Sequence, residues 1–295
     1  MENELKTAQK WQIFSNFTLK IIALISMTLD HIGLAISMYD TNNVLVTPFR
    51  IIGRLALPLF AFMIFEGMIH TKSKSKYILR LGVMAILIAI SLVLLKYLPL
   101  GMSSIADAGN IFIDLLLGAC MLYFLFQKNK YIKLLAILPV LYSIGSAAVI
   151  NYEITNSMTI HWFPFFLRGQ YNYYSVGLIL LFYLSYIFSK IYVRWYAKSI
   201  DLNENIFIGT YLEHTAYTSI CAILSFTFTF IFVMIENSFA TIAVNCQMYA
   251  IISSAFILLY NGKRGYNSKW FQYGCYIYYP LHILIIGLVL YLITL

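Results

Sequence analysis

Residues 20–38 read KIIALISMTLDHIGLAISM, and residues 50–66 read RIIGRLALPLFAFMIFE. Each run is apolar enough to cross a bilayer, which takes about 20 such residues. Yet the first carries Asp30 and His31 inside it, and the second opens on Arg50 and Arg54 and closes on Glu66. A charge at the centre of a membrane helix costs at least roughly 2.5–3.5 kcal/mol. Ionisable groups placed there mark a candidate functional site, and the rest of the chain reads as the scaffold that holds them.

The composition agrees with that reading. Of the 295 residues, 61% are hydrophobic, 17% aromatic and 11% charged, and the mean hydropathy is +0.79. Soluble domains carry about 25% charged residues. The expected fold class is therefore all-α, a polytopic membrane helix bundle of about nine transmembrane helices. These fall at about 18–38, 49–69, 78–98, 110–127, 131–150, 173–193, 213–235, 239–260 and 270–293. Residues 1–17 read as a cytoplasmic N-terminal tail without the features of a cleavable signal peptide. Residues 18–295 read as a single integral-membrane domain.

The charge pattern sets orientation. Sixteen of the twenty Lys and Arg residues fall in alternate connections, from Lys6, Lys10 and Lys20 to Lys263, Arg264 and Lys269. Basic loops stay on the cytoplasmic side. That predicts a cytoplasmic N-terminus, an extracytoplasmic C-terminus and a multi-pass protein of the cytoplasmic membrane. The net charge of +8 is spread over these short loops, so no nucleic acid partner is expected; the lipid bilayer is. Four widely spaced cysteines, Cys120, Cys221, Cys246 and Cys275, suggest neither a disulfide framework nor a zinc site. No metal is expected.

Depth brings the polar residues together. At 1.5 Å per residue, His31 lies roughly 16 Å beyond Lys20, Arg54 roughly 7–8 Å down from the outer side, and His282 roughly 18 Å beyond Trp270. Arg50 and Arg54, four apart, share a helix face. Pro280 removes one helical hydrogen bond and is expected to kink the last helix, aiming Tyr279 and His282 inward. Asp30 is open to two readings, an orienter of His31 or a counter-ion for Arg54. Glu66, near the inner end of its helix, reads either as part of the site or as a solvated or Lys-paired carboxylate. The longest outer connection, 151–172, is either an interfacial aromatic segment or an acceptor-binding lid with His161 and Arg168 facing the site. The stretch 99–109 reads as an external turn. A His with a neighbouring carboxylate and arginines suits general-base or nucleophilic catalysis. No Ser triad, Walker loop or dinucleotide fingerprint accompanies it.

The stretches LKIIALISMTLDHIG (19–33), RIIGRLALPLFAFMIFEG (50–67), LLYNGKRG (258–265) and YYPLHILIIGL (278–288) resemble the TraX family. That resemblance implies a membrane acyltransferase of the kind associated with N-acetylation of pilin, grouped with transmembrane enzymes that use cytoplasmic acyl-CoA. It implies acetyl-CoA as donor substrate and an extracytoplasmic protein or glycan as acceptor. Relatives carry a Lys or Arg, ten residues, then an essential His, a spacing matched by Lys20 and His31. His31 would be catalytic base or acyl carrier with Asp30 orienting it, and Arg54 would contact thioester or acceptor. Arg50, His282, Tyr279, Lys20 and Glu66 would complete substrate binding. The RxxxR spacing of Arg50 and Arg54 departs from the arginine pair of some relatives. Two other classes stand beside this one: a transporter or flippase, and a non-enzymatic membrane component of conjugation or surface-polymer assembly.

Overall fold

The structure is a computed structural model and describes residues 9–97, 109–239 and 246–294. The expected external turn at 99–109 lies outside the described residues but for Gly109, as does the beginning of the expected helix at 239–260. Among the described residues the fold is all-α, with one isolated bridge between Phe14 and Tyr260. The helices are α1 (Asn16–Ser37), α2 (Val46–Gly53), α3 (Ala56–His70), α4 (Lys74–Tyr97), α5 (Ile111–Leu125) and α6 (Lys130–Leu134). They continue with α7 (Ile137–Asn156), α8 (Tyr173–Ser199), α9 (Tyr211–Phe239), α10 (Ser253–Leu258) and α11 (Lys269–Thr294).

Seven helical stretches among the described residues are long and apolar enough to cross a membrane, counting α2 with α3 and α6 with α7 as one each. The other two expected spans appear as shorter apolar helices, Ile111–Leu125 and Gln247–Leu258. Fifteen residues rise only about 22 Å, less than the roughly 30 Å hydrocarbon core.

Proline explains why two spans are split. Pro58 has no N–H for the carbonyl of Arg54, and its ring crowds that carbonyl. The helix accordingly breaks into a turn at Arg54 and Leu55. Pro139 stands in the same relation to Leu135, where α6 ends. By contrast α11 runs through Pro280 as one helix.

The described residues group into two compact units. The first comprises residues up to Asp30, Thr47–Met63 and Leu180–Asn267. Its core centres on the fully buried Phe62, edge-on to Phe182 at 5.4 Å and Tyr260 at 5.3 Å, and stacked on Tyr217 at 6.2 Å. The N-terminal tail is tied into this unit. Gln12 Nε2 donates to Thr218 Oγ1 at 3.0 Å, and Phe14 exchanges backbone hydrogen bonds with Leu259 and Asn261. The first two N–H groups of α1, otherwise orphaned at a helix start, donate to the carbonyls of Lys263 and Arg264.

The second unit comprises His31–Val46, Ile64–Ile179 and the residues from Ser268 on. On α4, Leu81, Met84, Ala85, Ile88, Leu92 and Leu95 are buried at helical spacing. They form one stripe facing the core, and α4 packs against α5 and α11. Asn110 joins α4 to α5. Its Oδ1 caps the Phe112 N–H at 3.0 Å, and its Nδ2 donates to the Ala85 carbonyl at 2.9 Å. Ile86 and Ile90 on the opposite face of α4 are exposed, as a lipid-contacting surface requires.

Candidate functional site

The break at Arg54 builds a polar cluster within the first unit. Arg54 leaves the helix ladder, so the Arg50 carbonyl loses its usual donor; Arg54 Nε replaces it at 3.2 Å. The same guanidinium donates through Nη2 to Asp30 Oδ1 and through Nη1 to Gln247 Oε1 at 3.4 Å. Arg50 Nη1 donates to Asp30 Oδ2 at 2.9 Å. Both carboxylate oxygens are thus taken by guanidinium groups, which favours the counter-ion reading of Asp30 over the orienting one. One carboxylate facing two guanidiniums leaves the trio with a formal charge of +1. Asp30, Arg54 and Gln247 are buried, while the Arg50 side chain is 27% exposed.

Gly53 makes this approach feasible. A Cβ there would overlap the Asp30 side chain. Gly53→Ala is therefore expected to destabilise the protein by about 1–3 kcal/mol, the usual range for overpacking. The measurement is thermal unfolding in detergent, and an unchanged midpoint would show that Asp30 can step aside.

His31 and His282 meet within the second unit. His31 Nδ1 lies 2.9 Å from His282 Nε2, with ring centroids 5.0 Å apart. On its far side His282 Nδ1 lies 2.9 Å from the Tyr278 carbonyl, and the Tyr278 ring stacks on the imidazole at 5.2 Å and 9°. His282 is buried and His31 partly so. Residues 251 positions apart thus meet in one hydrogen-bonded pair. Tyr279, the next residue after Tyr278, sits edge-on to Phe112 at 4.8 Å.

Two other expected site residues lie on α3 and α1. Glu66 is buried rather than solvated, and its carboxylate lies 3.5 Å from His70 Nε2, one turn on. Lys20 lies in the second turn of α1. The eleven residues from Lys20 to His31 span roughly 16 Å of helix, beyond the reach of a lysine.

A TraX protein family profile matches residues 15–228 of the chain. The chain belongs to the TraX family. The matched region contains Asp30, His31, Arg50, Arg54 and Glu66, and it ends before Gln247, Tyr279 and His282. A relative from Dichelobacter nodosus, named a probable fimbrial assembly protein FimC of serogroup H1, is 41% identical over 68 residues. That stretch is 23% of this chain and spans 27% of the relative's length. No solved structure matches the chain.

Of the two readings of the long connection in this TraX-family chain, an interfacial aromatic segment or an acceptor-binding lid, the position of Arg168 disfavours the lid. Residues 151–156 continue α7, and Arg168 turns inward. Its guanidinium grips Glu153 through two hydrogen bonds, Nη1 to Oε2 at 2.5 Å and Nη2 to Oε1 at 2.9 Å. It also donates to the carbonyls of Ile160 and Phe163. Arg168 is therefore the clamp that shapes the loop, not a group facing substrate. His161 and Trp162 are exposed.

Sequence reasoning missed Asp114. It is fully buried, and its Oδ2 accepts the N–H groups of Gln170 and Tyr171, both at 2.8 Å, anchoring the end of the same connection. Gly169 is required there, since a Cβ would overlap the carboxylate. The signal was present: Asp114 stands alone in the apolar run IFIDLLLGACML. Gln247 likewise stands out only once Arg54 is seen beside it.

Proposed function

We propose that this protein is a membrane-embedded acyltransferase of the cytoplasmic membrane. It moves an acyl group, acetyl by preference, from cytoplasmic acetyl-CoA to an amine or hydroxyl on the outer side. The observation that carries the reading is the part-buried His31–His282 hydrogen-bonded pair, set in apolar helices and able to accept a proton. Membership of the TraX family supports it. The fimbrial assembly relative FimC supports a pilus-related acceptor such as a pilin, with an envelope glycan as the other acceptor class.

Roles follow from chemistry. His31 takes the proton of the attacking amine or hydroxyl. The Asp30–Arg50–Arg54 trio, with its surplus positive charge, suits an anionic group of the donor or the acceptor. Basic residues in the connections expected to be cytoplasmic favour the approach of the polyanionic coenzyme. Tyr279 and Glu66 remain candidates for lining the substrate path.

The test uses the purified protein in lipid vesicles with acetyl-CoA and a peptide or glycan acceptor. Expected are release of free thiol that depends on the acceptor, and an acetyl mass increment on the acceptor. Thiol release absent with every acceptor, together with full complementation of a deletion by an Asp30→Ala, His31→Ala double variant, would favour a non-enzymatic assembly component. Substrate movement across vesicles without acyl-CoA would favour a transporter.

A further inference from the structure

The hydrogen bonds around His282 determine where protons sit on the histidine pair. A backbone carbonyl only accepts, so His282 Nδ1, 2.9 Å from the Tyr278 carbonyl, carries a hydrogen and donates it. A neutral imidazole has one N–H. The lone pair of His282 is therefore on Nε2, which faces His31 Nδ1 at 2.9 Å. Two lone pairs do not meet at that distance, so His31 Nδ1 carries the hydrogen and donates it. In the neutral pair the basic lone pair of His31 is then on Nε2.

The same count holds when the pair gains one proton. Of four ring nitrogens, His282 Nδ1 stays protonated and one hydrogen stays between the rings. The third hydrogen can only be on His31 Nε2. That atom is where the pair's proton count changes, whichever ring holds the shared hydrogen.

We propose that His282 is a positioning residue, which holds His31 in the Nδ1–H form and so makes Nε2 its reacting nitrogen. This assigns His282 a different part from substrate binding. The Tyr278 carbonyl fixes His282, and the stacked Tyr278 ring holds its plane. When Nε2 takes a proton from the acceptor, the Nδ1 hydrogen can shift to His282 Nε2, spreading the charge over two rings. In the transfer the acceptor N–C or O–C bond forms and the thioester C–S bond breaks. The proton held at Nε2 passes to the leaving thiolate. The arrangement follows the logic by which an orienting group sets the tautomer of a catalytic histidine, with an imidazole in place of a carboxylate. Its catalytic meaning rests on the acyl-transfer reading; the tautomer does not.

The experiment is nuclear magnetic resonance of the full chain in lipid nanodiscs, with histidine rings labelled in 15N and 13C. Spectra are taken at alkaline pH, where the rings are neutral, and His31 is assigned by its loss in His31→Gln. Expected is an Nδ1–H His31, the less common form in water. It should persist in His282→Gln, whose side-chain oxygen can accept, and revert to Nε2–H in His282→Phe. An Nε2–H His31 in the unaltered protein overturns the proposal, and that measurement stands even if His282→Phe fails to fold. So does an Nδ1–H form unchanged by His282→Phe. The kinetic arm expects kcat for acetyl transfer to fall about 10²-fold or more in His282→Phe, with KM for acetyl-CoA unchanged and activity restored in His282→Gln. The expected tautomer without any acetyl transfer refutes the enzymatic reading alone; transfer with the other tautomer refutes the positioning role alone.

Discussion

Asp30→Ala is expected to lower the stability of the detergent-solubilised protein by about 3–5 kcal/mol, the usual cost of removing one partner of a buried ion pair. The physical reason is asymmetry. Asp30 and Arg54 are both largely buried, and the carboxylate accepts from Arg54 and Arg50 at once. Without it, two guanidiniums are left close together with no carboxylate between them, and the Arg54 side chain is only 9% exposed. Arg50 is partly exposed and can turn outward; Arg54 is tied to the Arg50 carbonyl and to Gln247 and has less freedom. Asp30→Ala combined with Arg54→Met removes both charges and should recover part of the loss, because an apolar pair of similar volume is often neutral in such a place. Thermal or denaturant unfolding of the two variants beside the unaltered protein checks this. An Asp30→Ala protein that unfolds like the unaltered one would show that the trio is not structural.

His31→Ala is expected to reduce acetyl transfer by about 10²–10⁴-fold, the usual worth of a positioned proton acceptor, while the protein remains folded. Its stability should fall only modestly, by about 1–3 kcal/mol, since truncation leaves buried His282 Nε2 without the donor that now meets it. The contrast separates the two clusters. On the proposed reading, Asp30→Ala is expected to lower mainly stability and His31→Ala mainly turnover. Acceptor-dependent thiol release from acetyl-CoA measures the second, with unfolding in detergent as the control. Turnover unchanged in His31→Ala would remove this residue from the chemistry whatever its stability.

The single letters of the chain carry the all-α membrane class, because the cost of burying an unpaired backbone group in lipid leaves an apolar run little choice but to be a helix. They also carry the anomaly of Asp30, His31, Arg50 and Arg54, since a charge in an apolar run stands out without knowledge of its neighbours. Periodicity gives the depth of His31 and of His282, and depth alone nominates them for the same site. What periodicity cannot give is which atoms meet. The hydrogen bond between His31 and His282, the choice of Asp30 for two arginines, and the turning of Arg168 onto Glu153 are contacts between distant residues. They depend on how helices pack and rotate, which no local pattern encodes. Asp114 shows the limit from the other side: its sequence signal is as plain as that of Asp30, but only the fold shows that it holds a loop through two backbone N–H groups. Residues 20–38 alone thus announce a charge that must be compensated in the membrane. Tertiary packing decides that arginines compensate Asp30 and that a second histidine engages His31.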